Sequence, residues 1–161
     1  MPTNKNKQRG ATSVEFAIIG VVFFMVLFAV IEFGRLMFVM ETLDEITRRG
    51  ARLAAVCPVD AASVSFVQNQ AMFNGGVVAG LEAEMINVTF WEQDGTEVIP
   101  DPADPESAIP LIDYVRVGID NFQHQMLIPT LNFTIPMPDF NTTIPSESLG
   151  VHPDGSSASC S

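Results

Sequence analysis

A long apolar run near the start of the chain dominates its pattern of hydrophobic and polar residues. Sixteen uncharged and mostly large apolar residues occupy positions 16–31. As a helix they rise about 24 Å, less than the roughly 30 Å hydrocarbon core of a bilayer. Continuation to residue 40 gives 25 residues and about 37 Å. The pattern predicts a transmembrane helix over about residues 16–40, in which Glu32 and Arg35, three residues apart, form an intramembrane pair.

The same helix is predicted to continue beyond the membrane. No proline interrupts residues 11–56, and the later part of this segment places Leu43, Ile46 and Leu53 along one helical stripe. The pattern therefore predicts one continuous helix over residues 11–56. Its first part lies in lipid, and its amphipathic extension lies outside.

The charges around the apolar run predict its orientation. Lys5, Lys7 and Arg9 precede the run with no acidic residue among them, which favours a cytoplasmic N-terminus. Three arginines after the run argue for the opposite orientation, but acidic residues one turn earlier on the helix balance two of them. We expect the N-terminus in the cytoplasm and the C-terminal domain on the other side.

Charge is distributed very unevenly along the rest of the chain. The formal net charge is −11 at pH 7, yet seven of the eight basic residues lie within the first 52 positions. From residue 53 onward, fourteen acidic residues face Arg116 alone. Because an acidic surface repels phosphate backbones, we expect no binding to nucleic acid. The asymmetry indicates that the two parts of the chain occupy different compartments.

Residues 57–135 have the pattern of a small mixed domain. Asp60 is a candidate N-cap for a helix over residues 61–73, with apolar residues on one face. A further helical turn or two is expected over residues 77–84, although Gly80 weakens it. The predicted domain therefore contains one or two short helices.

Strands are expected in the second half of this domain. Alternating residues on both sides of Asp94–Gly95 predict a β-hairpin, and further strands are expected in residues 112–120 and 131–135. The proline-rich residues 100–110 are predicted to loop out, and residues 136–161 to form an extended, partly disordered tail. The predicted fold class is α+β, with a long N-terminal transmembrane helix that extends into a small outer domain of antiparallel sheet.

The outer domain contains few residue patterns that indicate chemistry. His124 and His152 stand apart from each other and from both cysteines, so their spacing does not indicate a metal site. Asp101, Asp104 and Glu106 lack the spacing of an EF-hand, and a solvated loop explains them better than a Ca²⁺ site. No nucleophile motif or phosphate-binding glycine loop is present in the sequence. We expect no catalytic, cofactor-binding or metal-binding residues, and no enzyme.

Cys57 and Cys160 are the chain's two cysteines. In an oxidising compartment a disulfide between them is favoured, and closing a loop of about 100 residues stabilises a fold by up to roughly 4.7 kcal/mol in the entropic description. The alternative is a buried Cys57 at the end of the helix and an unpaired Cys160 in the tail.

A short basic segment ends immediately before the apolar run. Residues 9–16 read "RGATSVEF", so Gly10 and Ala11 precede a carboxylate, Glu15, that is followed by Phe16 and the run. A charged side chain inside a bilayer costs roughly 2.5 to 3.5 kcal/mol even on insertion scales. A secretory signal peptide fits poorly, because the run is long and no small-x-small cleavage site follows it until the arginine-rich segment near Ala51. Gly10, Glu15 and Phe16 instead resemble a type IV prepilin processing site with a short leader.

The resemblance extends along the helix. It includes "VEFA", "IEFGR" and "RRGAR" at matching spacing, and over residues 9–56 the sequence is similar to TadE-like proteins, the minor pseudopilins of the tight adherence pilus system. No visible feature separates the TadE group from the related TadG and TadF groups.

This resemblance implies a processed structural subunit in the bacterial inner membrane with a periplasmic domain. A prepilin peptidase would remove residues 1–10 by cutting between Gly10 and Ala11. Glu15, with Phe16 beside it, would then meet the new amine of Ala11 in a neighbouring subunit and set the register of assembly. The implied partners are the peptidase, other pilin-like subunits, the pilus assembly platform and membrane lipid. The implied role is assembly of a pilus that supports surface attachment and biofilm formation.

Two alternatives stay open at the level of sequence. Glu15 could simply rest in the headgroup region, one turn from the basic leader. The chain could also be an unprocessed single-pass inner-membrane protein whose acidic outer domain binds an envelope partner.

Overall fold

A single helix, α1, forms the N-terminal third of the protein. The computed structural model describes residues 6–73, 76–127 and 133–160, and α1 begins at Asn6 and ends at Ala54. Its 49 residues correspond to about 73 Å along the helix axis. The prediction of one uninterrupted helix is confirmed, with a start some residues earlier and an end two residues earlier than expected.

The two halves of α1 have different surroundings. Every residue from Thr12 to Ile31 is exposed except Gly20, which is half-buried. From Glu32 onward the outer domain covers one side of the helix, and Leu43 and Ile46 are fully buried. The predicted limit of the span, near residue 40, falls where the outer domain already covers one side of the helix. The bare 20-residue segment rises about 30 Å, which matches the core thickness by itself.

The second helix, α2, extends from Ala61 to Ala71. Asp60 caps it, because its carboxylate accepts a hydrogen bond from the Ser63 amide at 2.9 Å. This helix is confirmed, two residues shorter than predicted. The further helical segment expected at 77–84 is wrong, since Gly80 has a φ of +83° that no α-helix accommodates. A short 3-10 helix follows at Ala83–Met85.

Four strands form an antiparallel sheet beside α1. They are β1 (Ile86–Trp91), β2 (Glu97–Val98), β3 (Tyr114–Ile119) and β6 (Phe140–Pro145), in the order β2-β1-β3-β6. In this register Val117 of β3 lies between Val88 on one side and Thr142 on the other. The predicted hairpin around Asp94–Gly95 is present, with Gly95 at a φ of +88°.

Two shorter strands form a separate hairpin. They are β4 (Gln123–Gln125) and β5 (Thr134–Pro136), which pair with each other in antiparallel register. The strand predicted over residues 131–135 partly overlaps β5, and its first two residues lie outside the described part of the chain. We call β4, β5 and the described residues of the connection between them, Met126, Leu127 and Phe133, the β4–β5 hairpin, and the side on which these three residues lie its loop end.

Two segments contradict the sequence analysis. Phe140–Pro145, assigned to an extended tail, forms the edge strand β6 and pairs with all six residues of β3. Its prolines misled the prediction, yet the only proline in this strand is at its end, where a missing donor is tolerated. Pro105–Leu111, inside the predicted loop, forms a 3-10 helix, a compact turn that prolines permit.

The core lies where α1 meets the sheet and α2. A Cβ built at Gly50 would lie 3.0 Å from Val117 Cγ1 and 3.4 Å from the Ala71 Cβ. Gly50 therefore lets the helix approach both β3 and α2 closely, and Thr47 one turn earlier hydrogen-bonds Thr142 of β6 at 2.9 Å. The predicted α+β class is confirmed: a long apolar helix followed by a small antiparallel sheet domain with a short helix.

Candidate functional site

The bare segment of α1 presents an almost purely apolar surface. It carries large side chains on all sides, several of them aromatic: Val14, Phe16, Ile18, Ile19, Val21, Val22, Phe23, Phe24, Met25, Val26, Leu27, Phe28, Val30 and Ile31. By length and composition, this N-terminal helix could cross a membrane. A helix that is apolar all round is stable only when lipid or other helices surround it.

Glu15 is the charged group at the start of this bare segment. Its side chain is exposed, and no hydrogen bond or ion pair joins it to any residue that the structure describes. Phe16, next to it, is exposed as well. The predicted cleavage position, Gly10–Ala11, lies on α1 one turn before Glu15, while residues 1–5 of the predicted leader lie outside the described residues. The carboxylate therefore has no side-chain partner among the described residues, and it lies about one turn from the predicted cleavage position.

Glu32 lies at the other end of the bare segment and has several partners. Its side chain is buried, with the residue 5% exposed. Oε1 accepts hydrogen bonds from both Nε, at 3.1 Å, and Nη2 of Arg35. The same oxygen lies 3.4 Å from His124 Nε2 and 3.4 Å from the Leu127 amide nitrogen. Arg35 Nη2 also donates to the backbone carbonyl of Gln125.

The position of this cluster adds partners to the predicted pair. Glu32 and Arg35 do pair, and their further partners come from the β4–β5 hairpin, which buries Glu32 and leaves Arg35 partly exposed. The pair therefore forms a junction between helix and outer domain, and its place relative to a membrane stays a prediction. His124, which stood alone in the sequence, is 2% exposed and belongs to this junction. Its partner lies 92 residues away along the chain, so no local pattern could reveal it.

Most of α1 matches the model of one known protein family. Residues 10–52 match the family model for TadE-like protein. This helical segment is similar to the TadE-like family. The comparisons with curated proteins and with solved structures give no match. The family match suggests a subunit associated with the tight adherence pilus.

The TadE-like match has informative limits. It begins at Gly10, the predicted cleavage residue, and ends at Arg52. It therefore includes Glu15, the junction residues on the helix and Gly50, and almost nothing of the outer domain. What the chain shares with the family is the helix and the features that the helix carries.

A C-terminal strap, residues 147–150, fastens the outer domain to the end of the TadE-like helix. The amides of Glu147 and Leu149 donate to the Ala55 carbonyl at 3.1 and 3.2 Å, and the Gly150 amide donates to the Val56 carbonyl at 2.9 Å. These bonds satisfy carbonyl groups that a helix end leaves without partners. Gly150 has a φ of +80°, and a Cβ there would collide with Pro58.

A disulfide joins Cys57 to Cys160 next to this strap. The sequence left this pairing open against a buried, unpaired Cys57. The strap and the disulfide belong to the region assigned to an extended, partly disordered tail, and the described residues of that region instead hold the end of the TadE-like helix. Sequence reasoning missed the strap because its acceptors are backbone carbonyls, which carry no signature in side-chain identity.

The remaining polar candidates have structural partners. The Asp101 carboxylate accepts a hydrogen bond from the Ala103 amide, and the backbone of Asp101 forms an isolated β-bridge with that of Asp104. Glu106 accepts a hydrogen bond from the Ser157 hydroxyl at 2.7 Å, and the backbone of His152 forms a turn with Ser156 and Gly155. Across the described ranges 6–73, 76–127 and 133–160, no three His, Cys, Asp or Glu side chains come together as metal ligands would.

Proposed function

We propose that this protein is a minor pilin-like subunit, a pseudopilin, that takes part in assembling a tight adherence pilus. Its contribution is structural rather than catalytic, and it supports surface attachment and biofilm formation. The observation that carries the proposal is the contrast within α1. Residues 12–31 are bare and mostly apolar and include an exposed Glu15 that pairs with no residue that the structure describes, while the outer domain covers one side of the helix from Glu32 onward. The bare half is what remains for lipid and for neighbouring helices.

Glu15 is the proposed register residue. A carboxylate in an apolar span costs up to roughly 2.5 to 3.5 kcal/mol, the value for the centre of the span, and a nearby cation offsets this cost. Cleavage after Gly10 would create such a cation at Ala11, which could neutralise Glu15 of an adjacent subunit. An ion pair in apolar surroundings is favourable only with close geometry, so it would select one axial offset between neighbouring helices.

The proposed location is the bacterial inner membrane. The basic residues of the leader would keep the N-terminus in the cytoplasm, and the acidic domain would lie in the periplasm. The disulfide between Cys57 and Cys160 is consistent with that oxidising compartment. The proposed partners are the prepilin peptidase, other pilin-like subunits, the assembly platform and membrane lipid; nucleic acid is not among them.

Processing is the first test of this proposal. Removal of residues 1–10 takes away three bases and no acid, which changes the formal net charge from −11 to −14. Mass spectrometry of the protein from cells with an active prepilin peptidase should find a chain that starts at Ala11. Gly10→Phe should leave the full-length chain in the membrane. A native chain that starts at Met1 would favour the alternative, an unprocessed membrane protein whose acidic domain binds an envelope partner.

Assembly is the second test. Glu15→Val should enter the membrane at least as well as the native chain, because it removes a polar group from the span. It should fail to support adhesion, since the Ala11 amine of a neighbour would lose its partner. Glu15→Asp should be intermediate, and Glu41→Val, at an exposed position farther along α1, should behave as the native chain. Fractionation measures insertion, and pilus-dependent attachment measures assembly. Normal attachment by Glu15→Val would contradict the register role.

A further inference from the structure

One segment of the acidic outer domain carries no formal charge. Residues 121–138 contain no Asp, Glu, Lys or Arg, although fourteen acidic residues lie between residue 53 and the end of the chain. Asp120 and Asp139 flank the segment on either side. The uncharged stretch includes both strands of the β4–β5 hairpin. Residues 61–81 are uncharged as well, so the hairpin belongs to one of two long stretches of the domain that an anionic bilayer surface would repel less than the acid-bearing parts.

Hydrogen bonds fix the level of this hairpin along α1. Arg35 donates to the Gln125 carbonyl, and the Leu127 amide donates to Glu32 Oε1. Side chains on an α-helix tilt toward its N-terminus, so the Glu32 carboxylate reaches back toward the bare segment. Leu127 is therefore held beside the last turn of the segment that matches the thickness of a bilayer core.

The loop end of the hairpin exposes large apolar side chains beside the last turn of the bare segment. Leu127 is 67% exposed, and Phe133 is close to it because the Met126 amide bonds the Phe133 carbonyl at 3.1 Å. On the helix itself, Phe33 is 63% exposed, and Phe38 is also exposed. Aromatic and aliphatic side chains at the end of a span are typical of the headgroup region, where they anchor a protein at a fixed depth.

We propose that the described residues at the loop end of the β4–β5 hairpin are a second membrane contact, in which Leu127 and Phe133 enter the boundary between headgroups and acyl chains. This inference rests on the proposed membrane span of α1, and it is independent of processing and of pilus assembly. Lipid is the occupant because the tether to Glu32 and Arg35 holds these side chains where the bare helix enters the bilayer. The contact would fix the rotation of α1 about its axis, since only one side of the helix carries the hairpin.

Lipid-borne quenching tests this contact in the full chain. Leu127→Cys is labelled with an environment-sensitive fluorophore and reconstituted in nanodiscs that hold one copy each and contain lipids with quenchers both high and low on their acyl chains. Cys57 and Cys160 are already joined, so the introduced thiol is the one that reacts. The matched control is Ile99→Cys. Ile99 is apolar and 84% exposed, and it directly follows β2, the edge strand opposite β6. Phe24→Cys, in the bare segment, reports on the span itself.

The expected result is strong loss of emission from the labels at Leu127 and Phe24, and little loss from the label at Ile99. Quenching at Phe24 with emission at Leu127 equal to that at Ile99 would overturn the hairpin contact and leave the span intact. An unquenched label at Phe24 would overturn the span, and the contact with it. Discs that hold two copies provide a further comparison. If the emission of the label at Leu127 changes only in those discs, the surface binds a second copy, which would contradict a lipid contact.

Discussion

His124 Nε2 lies 3.4 Å from Oε1 of Glu32, in a contact that joins the β4–β5 hairpin to the membrane-proximal helix. The two residues are separated by 92 positions in the sequence. Both are buried, and Arg35 and the Leu127 amide share the same carboxylate. The junction therefore places four donors or possible donors around one acceptor group, so the carboxylate is the element on which the others depend.

Removal of the Glu32 carboxylate should loosen the hairpin. In Glu32→Ala the Leu127 amide and the buried His124 ring lose an acceptor, at a cost of about 1–3 kcal/mol for unsatisfied buried groups. Hydrogen exchange at the Leu127 amide should accelerate roughly 5- to 150-fold, the equivalent of that energy. Glu41→Ala removes the same charge from an exposed position on α1 and should leave this amide unchanged. Equal exchange in both variants would show that the carboxylate does not hold the hairpin.

Gly50 should not tolerate a large side chain. Any Cβ at this position meets Val117 at 3.0 Å, so Gly50→Leu overfills the contact between α1, α2 and β3 and should destabilise the domain by about 1–3 kcal/mol. Chemical unfolding in detergent, followed by the fluorescence of Trp91, the chain's one tryptophan, measures the change. Gly34→Leu is the matched control, because nothing lies within 4 Å of a Cβ there. Comparable losses in the two variants would contradict the packing role.

Reduction of the disulfide should weaken the attachment of the strap. Cys57 and Cys160 are 103 positions apart, and a crosslink across about 100 residues contributes up to roughly 4.7 kcal/mol in the entropic description. A reducing agent should lower the unfolding midpoint of the native chain. Cys160→Ala should start at the lowered midpoint and respond no further to the reagent. A native midpoint that reduction leaves unchanged would mean that the hydrogen bonds of the strap suffice.

The Asp60 cap should make part of the stability dependent on pH. The hydrogen bond from the Ser63 amide, together with one from the Ser63 hydroxyl, holds the pKa of the Asp60 carboxyl below its ordinary value. A pKa lower in the folded than in the unfolded state stabilises the fold above the unfolded value. That contribution is lost as the pH falls through the folded value.

Asp60→Ala measures this contribution. At pH about 7 the variant should be about 0.5–2 kcal/mol less stable than the native chain, the usual cost of losing an N-cap. The difference should shrink as the pH falls below the ordinary pKa of an aspartate, because protonation weakens the native cap as well. Asp60→Asn keeps an acceptor without titrating, so its stability should lack this pH dependence. If the stability difference between the native chain and Asp60→Ala is the same at neutral pH and below the ordinary pKa of an aspartate, the charge has no role.

Local patterns predicted the local parts of this structure. The Asp60 cap, the hairpin at Asp94–Gly95 and the continuity of α1 depend on residues within a few positions of one another, and all three are present. The pairing of Glu32 with Arg35 is also local. Its location is not, because it depends on where the β4–β5 hairpin packs, and contacts with residues about 90 positions away are not visible in a single sequence.

Composition misled the analysis at the C-terminal end. Proline and serine around Phe140–Pro145 are common in disordered tails, yet this segment forms a strand because β3 offers it a complete antiparallel partner. The candidate register residue, Glu15, was found for the opposite reason. A carboxylate is so unfavourable beside an apolar run that its presence there is informative without any knowledge of the fold.

The disulfide also determines what a single proteolytic cut could release from the protein. Cys57 directly follows the last turn of the membrane-proximal helix, and Cys160 lies beyond the last strand, so the outer domain is a covalently closed loop attached at one point. A single cut between these two residues leaves both fragments attached to the helix. Shedding of the intact domain requires a cut within the helix itself, where regular backbone hydrogen bonds and the packed domain restrict access to a protease.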